Sequence, residues 1–293
     1  MQNKILRVLA DPPPDYIFEV SEAGIAYAQP GNPQVMFAPL EPGVLLVSPV
    51  AENVWNAEAF ANTVRAIVPA ANGRKRRGAA LILPDFCARV AVLEFDSFPT
   101  DAKEQMALVR FRMRKSIPFD IDSAVVGYHI QSGKAKKVDV LVVVAAMEIV
   151  ARYEAPFRAA GLHTGFVTTS LLAMSELNSG AGISLLARIA GSALTVAVMQ
   201  GGLLKLVRCV ELAEGSHAEI LNVLFPTLAY VEDEMGSRAE RLLLCGFPPD
   251  SDWEAELGVR VHPLTSRLGI ANRNNAGLLG YLESTLEGVA RVA

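Results

Sequence analysis

With 293 residues, 51% of them hydrophobic and 20% charged, the chain can fill one large or two medium globular cores, which excludes a disordered reading. A net charge of −4 gives no general reason to expect nucleic-acid binding. No apolar run reaches the roughly 18 uncharged residues that cross a bilayer; the best candidate, Val138 to Met147, is short and carries Asp139.

Met1 to Ala10 has no apolar stretch of signal-peptide length, and Asp11-Pro12-Pro13-Pro14 follows directly, so export is not expected. Tyr16 to Val20 and Gly24 to Gln29 read as two short strands around a tight turn, and Gly43 to Val47 as a third. Trp55 to Val68 has helical spacing, with Phe60, Val64, Ile67 and Val68 on one side, and Ala79 to Leu83 follows as a buried strand. The order is β-β-β-α-β.

An extra block comes next. Arg89 to Phe95 reads as a strand, and Thr100 as the cap of a helix running through Met106, Val109 and Met113 until Ile117-Pro118 ends it. Asp101 and Glu104 complement the positive end of that helix, and Arg110, Arg112, Arg114 and Lys115 are read as its solvated face. Ala124 to Gln131 and Val138 to Ala146 are strands joined across Ser132-Gly133, giving a β-α-β-β module at about residues 85–146. A helix from Glu148 to Ala160 stops at Gly161, and Leu162 to Thr168 returns as a strand before Leu171 to Leu177.

The second part repeats the plan. Ile183 to Ile189, Leu194 to Met199 and Leu203 to Val210 are three strands turning at Gly191 and Gly201-Gly202, the latter read as a hairpin rather than a phosphate loop. His217 to Met235 is a helix with Ile220, Leu221, Leu224, Leu228 and Val231 on one stripe, and Arg241 to Cys245 is the strand after it. A duplicated β-β-β-α-β-α plan in an α/β chain is the layout of the actin, sugar kinase and Hsp70 fold. The expected organisation is a first half at 1–84 and 147–178, the inserted module at 85–146, and a second half at 179–293.

Cys87, Cys209 and Cys245 are odd in number, far apart and in apolar contexts, which predicts buried thiols in a reducing compartment. The histidines, His129, His163, His217 and His262, are too scattered for a metal site. Arg74 to Arg77, and Lys134 with Lys136 and Lys137, read as solvated loops.

The inserted block carries a resemblance. LILPDFCARVAVLEFDSFP (81–99), KEQMALVRFRMRKSIPFDIDSAVVGYHI (103–130) and VDVLVVVAAMEIVARYEAPFRAAGL (138–162) resemble the PilM family of type IV pilus assembly proteins over about 80 residues in order. The Ile117-Pro118-Phe119-Asp120 and Ala160-Gly161-Leu162 steps stand at the family spacing. PilM is similar to FtsA, whose actin-like body has a subdomain inserted in its first half. The type II secretion L protein has a related cytoplasmic domain followed by a transmembrane helix, which no stretch here matches.

The resemblance implies two phosphate-gripping hairpins that read approximately Asp-x-Gly, and a glycine-rich adenosine turn. Here the first hairpin is Glu19-Val20-Ser21-Glu22, the second Arg188-Ile189-Ala190, and the turn Cys245-Gly246-Phe247-Pro248-Pro249. Glu22 is expected to bring negative charge where phosphate would rest, Arg188 to be able to meet phosphate but not Mg²⁺, and Phe247 to obstruct the adenosine turn. The expectation is therefore a non-catalytic scaffold without ATP or Mg²⁺; the alternatives are an active actin-like ATPase and an adaptor of a type II secretion platform. The implied partner is the N-terminal tail of a PilN-like inner-membrane protein, alongside other pilus platform proteins, which would hold this chain peripherally at the cytoplasmic face. The tail would lie between the first half and the module, with Phe86, Phe95, Phe98, Phe111 and Phe119 as candidate contacts. Deleting 85–146 should abolish recruitment, and Arg188→Ala should leave it intact.

Overall fold

The computed structural model describes residues 14–29, 32–69, 77–134, 137–249 and 251–290. Strands β1 (Tyr16–Ser21), β2 (Gly24–Gln29) and β3 (Asn32–Pro39) form an antiparallel meander, with Phe18 opposite Tyr27 and Ile25 opposite Ala38. Helix α1 (Ala57–Ile67) starts at Asn56, whose side chain accepts from the Ala59 N–H, and buries Phe60 and Val64. It leads to β4 (Arg77–Leu83), parallel to β1.

The third strand is not Gly43 to Val47, where Leu45 makes only a single bridge to Val54. It is Asn32–Pro39, whose two prolines read as breakers. β3 lies at the edge of its sheet, and an edge has positions where a missing N–H costs nothing.

The module follows: β5 (Ala88–Phe95), α2 (Ala102–Met113), β6 (Ala124–Lys134) and β7 (Lys137–Ala146), in an antiparallel sheet of order β5-β7-β6. Val109 and Met113 of α2 close its core over Phe95, Val140, Val142 and Val144. The cap of α2 is Asp101 rather than Thr100, its carboxylate accepting from Lys103 and Glu104 N–H. Arg110 is half-buried, and its guanidinium donates to the carbonyls of Ile121 and Ala124. Ser132-Gly133 is no turn but part of β6: the register shifts between Ile130 and Ser132, with Gln131 the extra residue, and Gly133 pairs in register with Val138. The connection falls at 135–136, outside the described residues, as does Lys136. Arg74, Lys75 and Arg76 also lie outside them, while Arg77 donates to the carbonyls of Pro69 and Ala160.

Helix α3 (Met147–Ala159) ends before Gly161, and β8 (Leu162–Thr169) joins β4 in parallel, giving a first sheet of order β3-β2-β1-β4-β8. After the short α4 (Ser170–Met174) the plan recurs: β9 (Ile183–Ala190), β10 (Ala193–Gln200) and β11 (Leu203–Glu211), helix α5 (His217–Met235), then β12 (Arg241–Cys245). Ser216 and Glu219 form a reciprocal cap on α5. Beyond α6 (Trp253–Leu257), β13 (Val261–Pro263) completes a second sheet, β11-β10-β9-β12-β13, with the same order of pairings as the first. β9 is buried on both faces, Leu185 and Ala187 toward α5 and Leu186 toward α4 and the module strand β5, as expected of a central strand.

The hairpin of β14 (Thr265–Ser266) and β15 (Gly269–Ile270) precedes α7 (Ala276–Ala290), which crosses back to the first sheet. Its Leu278 and Leu282 pack with Ile17, Ala80 and Ile82. The module is tied to the second sheet as well. Gln131 pairs with the Leu204 backbone through both side-chain atoms, at 2.8 and 2.9 Å, and Lys205 meets Asp139 at 2.6 Å. No helix among the described residues is long and apolar enough to cross a membrane.

Candidate functional site

The two sheets meet where the β1–β2 and β9–β10 hairpins face each other, and the residues there are paired with one another. Glu19 on β1 is 0% exposed. Its Oε1 accepts from Ser170 Oγ at 2.7 Å and Arg188 Nη2 at 2.8 Å, and its Oε2 from the Leu278 N–H at 2.8 Å. Arg188, on β9 and 2% exposed, also donates from Nη2 to the Arg273 carbonyl at 2.5 Å, and its Nη1 lies 3.6 Å from Asp85 Oδ2. Only its Nε lacks a partner among the described residues. Asp85 follows β4, and its Oδ1 accepts from the Leu171 N–H at 2.6 Å.

Burial dominates at Asp85 and raises its pKa despite the neighbouring guanidinium. At Arg188 burial pulls the other way, but the Glu19 and Asp85 carboxylates outweigh it and the guanidinium is held more firmly protonated. The triad joins β1, β4, β9 and the start of α7 across the cleft.

Glu22 closes the hairpin space. Its Oε1 accepts from the Val47 N–H at 3.0 Å, and its Oε2 lies so near Gly191 that a Cβ there would stand 1.9 Å away. The crevice left between the hairpins, lined by Ser21, Asp85, Arg188 and Ala190 among others, has about 20 Å³ for water centres. That is room for one water, whereas ligand pockets run to several hundred Å³. Ser21 itself donates from Oγ to the Gly24 carbonyl. Gly246 has φ +76°, and a Cβ there would sit 2.3 Å from the Ile189 carbonyl oxygen, so the turn is held tightly against β9. The Phe247 ring meets Trp253 edge-on at 5.3 Å and packs against the core under α5, and it is not among the residues lining the crevice. The Glu19 and Asp85 carboxylates and the Nη atoms of Arg188 are engaged with one another and with neighbouring backbone and hydroxyl groups. Among the described residues no group of three or more His, Cys, Asp or Glu could hold a metal.

Sequence reasoning located Glu19 and Arg188 but not their pairing, and missed Asp85, Ser170 and the Leu278 amide. An acid just past the carboxyl end of a central parallel strand, as in Leu83-Pro84-Asp85, was the available signal for Asp85.

The open space lies elsewhere, between the module and the first sheet. β6 and β8 are edge strands of their sheets, each with one backbone edge unpaired within its sheet. Between them lies a hollow of about 200 Å³ with an aliphatic lining that includes Val125, Val143, Val150, Val167 and Leu172. A second hollow of about 360 Å³ shares Thr168 and Leu172 with it and runs on to α7 and β11. None of the five candidate phenylalanines lines either hollow. Phe95 and Phe98 meet inside the module with ring centroids 5.0 Å apart and planes tilted by 44°, Phe119 bridges the cores of module and first sheet, Phe86 lines the crevice, and Phe111 is 73% exposed on α2.

The thiols are sequestered. Cys87 and Cys245 are buried and Cys209 is partly so; burial drives all three pKa values up, to about 11 for Cys245 and about 12 for Cys209. Cys87 and Cys245 are therefore expected to stay unreactive toward Ellman's reagent at pH 8 until the chain is unfolded. Rapid titration of all three in the native protein would contradict the burial.

Two sheets of matching order around a cleft, with a module inserted after β4, define the actin-like ATPase fold. Among solved structures the chain is similar to a chain of the PilM–PilN type IV pilus biogenesis complex, with a TM-score of 0.70 at 18% identity over 95% of this chain and 99% of that one. It is also similar to the cytoplasmic domain of EpsL, an inner-membrane component of the type II secretion system of Vibrio cholerae (TM-score 0.52, 13% identity, 94% of each chain). A Bacteroides thetaiotaomicron protein of actin-like ATPase fold and unknown function follows (0.51, 12%, 92% and 95%). No family model and no curated protein matches the sequence.

Proposed function

We propose that the chain is a non-catalytic adaptor of a type IV pilus assembly platform, which captures the cytoplasmic tail of a PilN-like inner-membrane protein in the groove between β6 and β8. The observation that carries this reading is the contrast between the two spaces: the cleft is filled by a buried ion triad, and the open, apolar, edge-flanked room is in the groove. An extended tail can offer backbone hydrogen bonds to an edge and side chains to the hollows, which suits a short peptide. Micromolar affinity suffices when the partner is confined to a membrane, and tethering would hold the adaptor at the cytoplasmic face. The likeness to the PilM–PilN complex supports this choice of machine.

The test is titration of the purified chain with the N-terminal peptide of a PilN-like inner-membrane protein from the same genome. Saturable binding is expected, and its absence overturns the reading. Calorimetric titration with Mg-ATP is expected to give no binding heat, because Arg188 and Glu19 are committed to each other. A micromolar dissociation constant would restore the ATPase alternative. The likeness to the EpsL domain favours one second reading, an adaptor in a type II secretion platform; capture of that platform's tail in preference to a PilN-like one would select it.

A further inference from the structure

The larger hollow differs chemically from its aliphatic neighbour. Phe166, 47% exposed, and Tyr281 form one wall, their ring centroids 5.5 Å apart and tilted by 49°. Among the residues lining it, Glu176, which is exposed, carries the one fixed charge, and among the described residues no hydrogen bond or ion pair engages its carboxylate. The hydroxyls of Ser175 and Ser284 spend their protons on the carbonyls of Leu172 and Tyr281, so their oxygens remain as acceptors. Gln131 has both side-chain atoms committed to Leu204. The hollow thus offers the Glu176 carboxylate and the Ser175 and Ser284 oxygens as acceptors beside two aromatic faces, with the His129 ring and the hydroxyls of Thr168 and Tyr281 also in its lining.

A guanidinium or ammonium group is the complement, since it offers only donors, carries positive charge and is attracted to aromatic faces. We propose that this hollow is a cation-recognition site, occupied by an arginine or lysine side chain of the segment whose apolar residues fill the adjacent aliphatic hollow. The identity of that segment rests on the adaptor reading; the chemistry of the hollow does not. The two hollows together would read an apolar residue and a basic one in a fixed order along the strand.

Two probes separate the claims. The fluorescein-labelled N-terminal peptide of a PilN-like protein from the same genome, measured by anisotropy, should bind Glu176→Gln about threefold more weakly than wild type, as for a charge pair at an exposed carboxylate. The same peptide with its lysines and arginines replaced by glutamine should bind both proteins equally. Equal affinity of the unmodified peptide for wild type and Glu176→Gln overturns the proposal. If that peptide does not bind wild type at all, the adaptor reading fails, and agmatine decides the hollow alone. Millimolar agmatine should then shift the aromatic NMR signals of Phe166 and Tyr281 in wild type and not in Glu176→Gln, which would identify a free guanidinium compound as the source. No shift in wild type, or equal shifts in both, overturns the site.

Discussion

Arg188→Ala is expected to destabilise the folded chain by about 3–5 kcal/mol, because it leaves two buried carboxylates facing each other without their cation. Glu19 is wholly buried and Asp85 nearly so, and the residue that neutralises both comes from the opposite sheet. Its loss therefore weakens the joint between the sheets, not one surface. A fall in melting temperature on the order of 10 °C is the expected readout. The triple variant Glu19→Gln, Asp85→Asn, Arg188→Met supplies the control. Replacing a buried ion network by neutral groups of similar volume is often close to neutral, so this variant should recover to within about 2 kcal/mol of wild type. An Arg188→Ala protein as stable as wild type would show that the triad contributes nothing. The sequence expectation that Arg188→Ala leaves recruitment intact is therefore to be read only on molecules that remain folded.

Val125→Glu is expected to lower affinity for the tail peptide by at least about 30-fold, since it buries an unpaired carboxylate opposite an apolar anchor. Val125 is 44% exposed on an edge strand and lines the aliphatic hollow, so its replacement should leave the melting temperature nearly unchanged. Phe111→Ala is the matched control: the ring is more exposed than that of Val125 but lies on α2, away from both hollows, and binding should not change. Equal losses in the two variants, or none in Val125→Glu, would move the partner site out of the groove. Deleting 85–146 is a poor substitute for these point changes. The segment contains Asp85 of the triad, Gln131, which clasps Leu204, and Asp139, which pairs with Lys205. Its removal would damage the joint between the sheets together with any groove.

Much of this architecture is legible along the chain. Helical stripes such as Ile220, Leu224 and Val231, and apolar runs such as Ile183 to Ile189, mark buried faces through their spacing, and His217–Met235 and Arg241–Cys245 fall where the spacing places them. The repeated order and the interruption after β4 then delimit the fold, because few packings satisfy two such units. Spacing reports that a face is buried, however, and not against what. Glu19 and Arg188 are 169 residues apart, and their ion pair exists only because two sheets meet; one by one they read as damage to a nucleotide site rather than as partners. Phe247 could be placed in a turn by sequence, but the direction of its ring depended on Trp253 being there to receive it. For the same reason the five candidate phenylalanines do not line the open hollow. Most of those rings are drawn into cores by their area, while the open hollow is walled by small aliphatics from two edge strands that only the tertiary structure brings side by side.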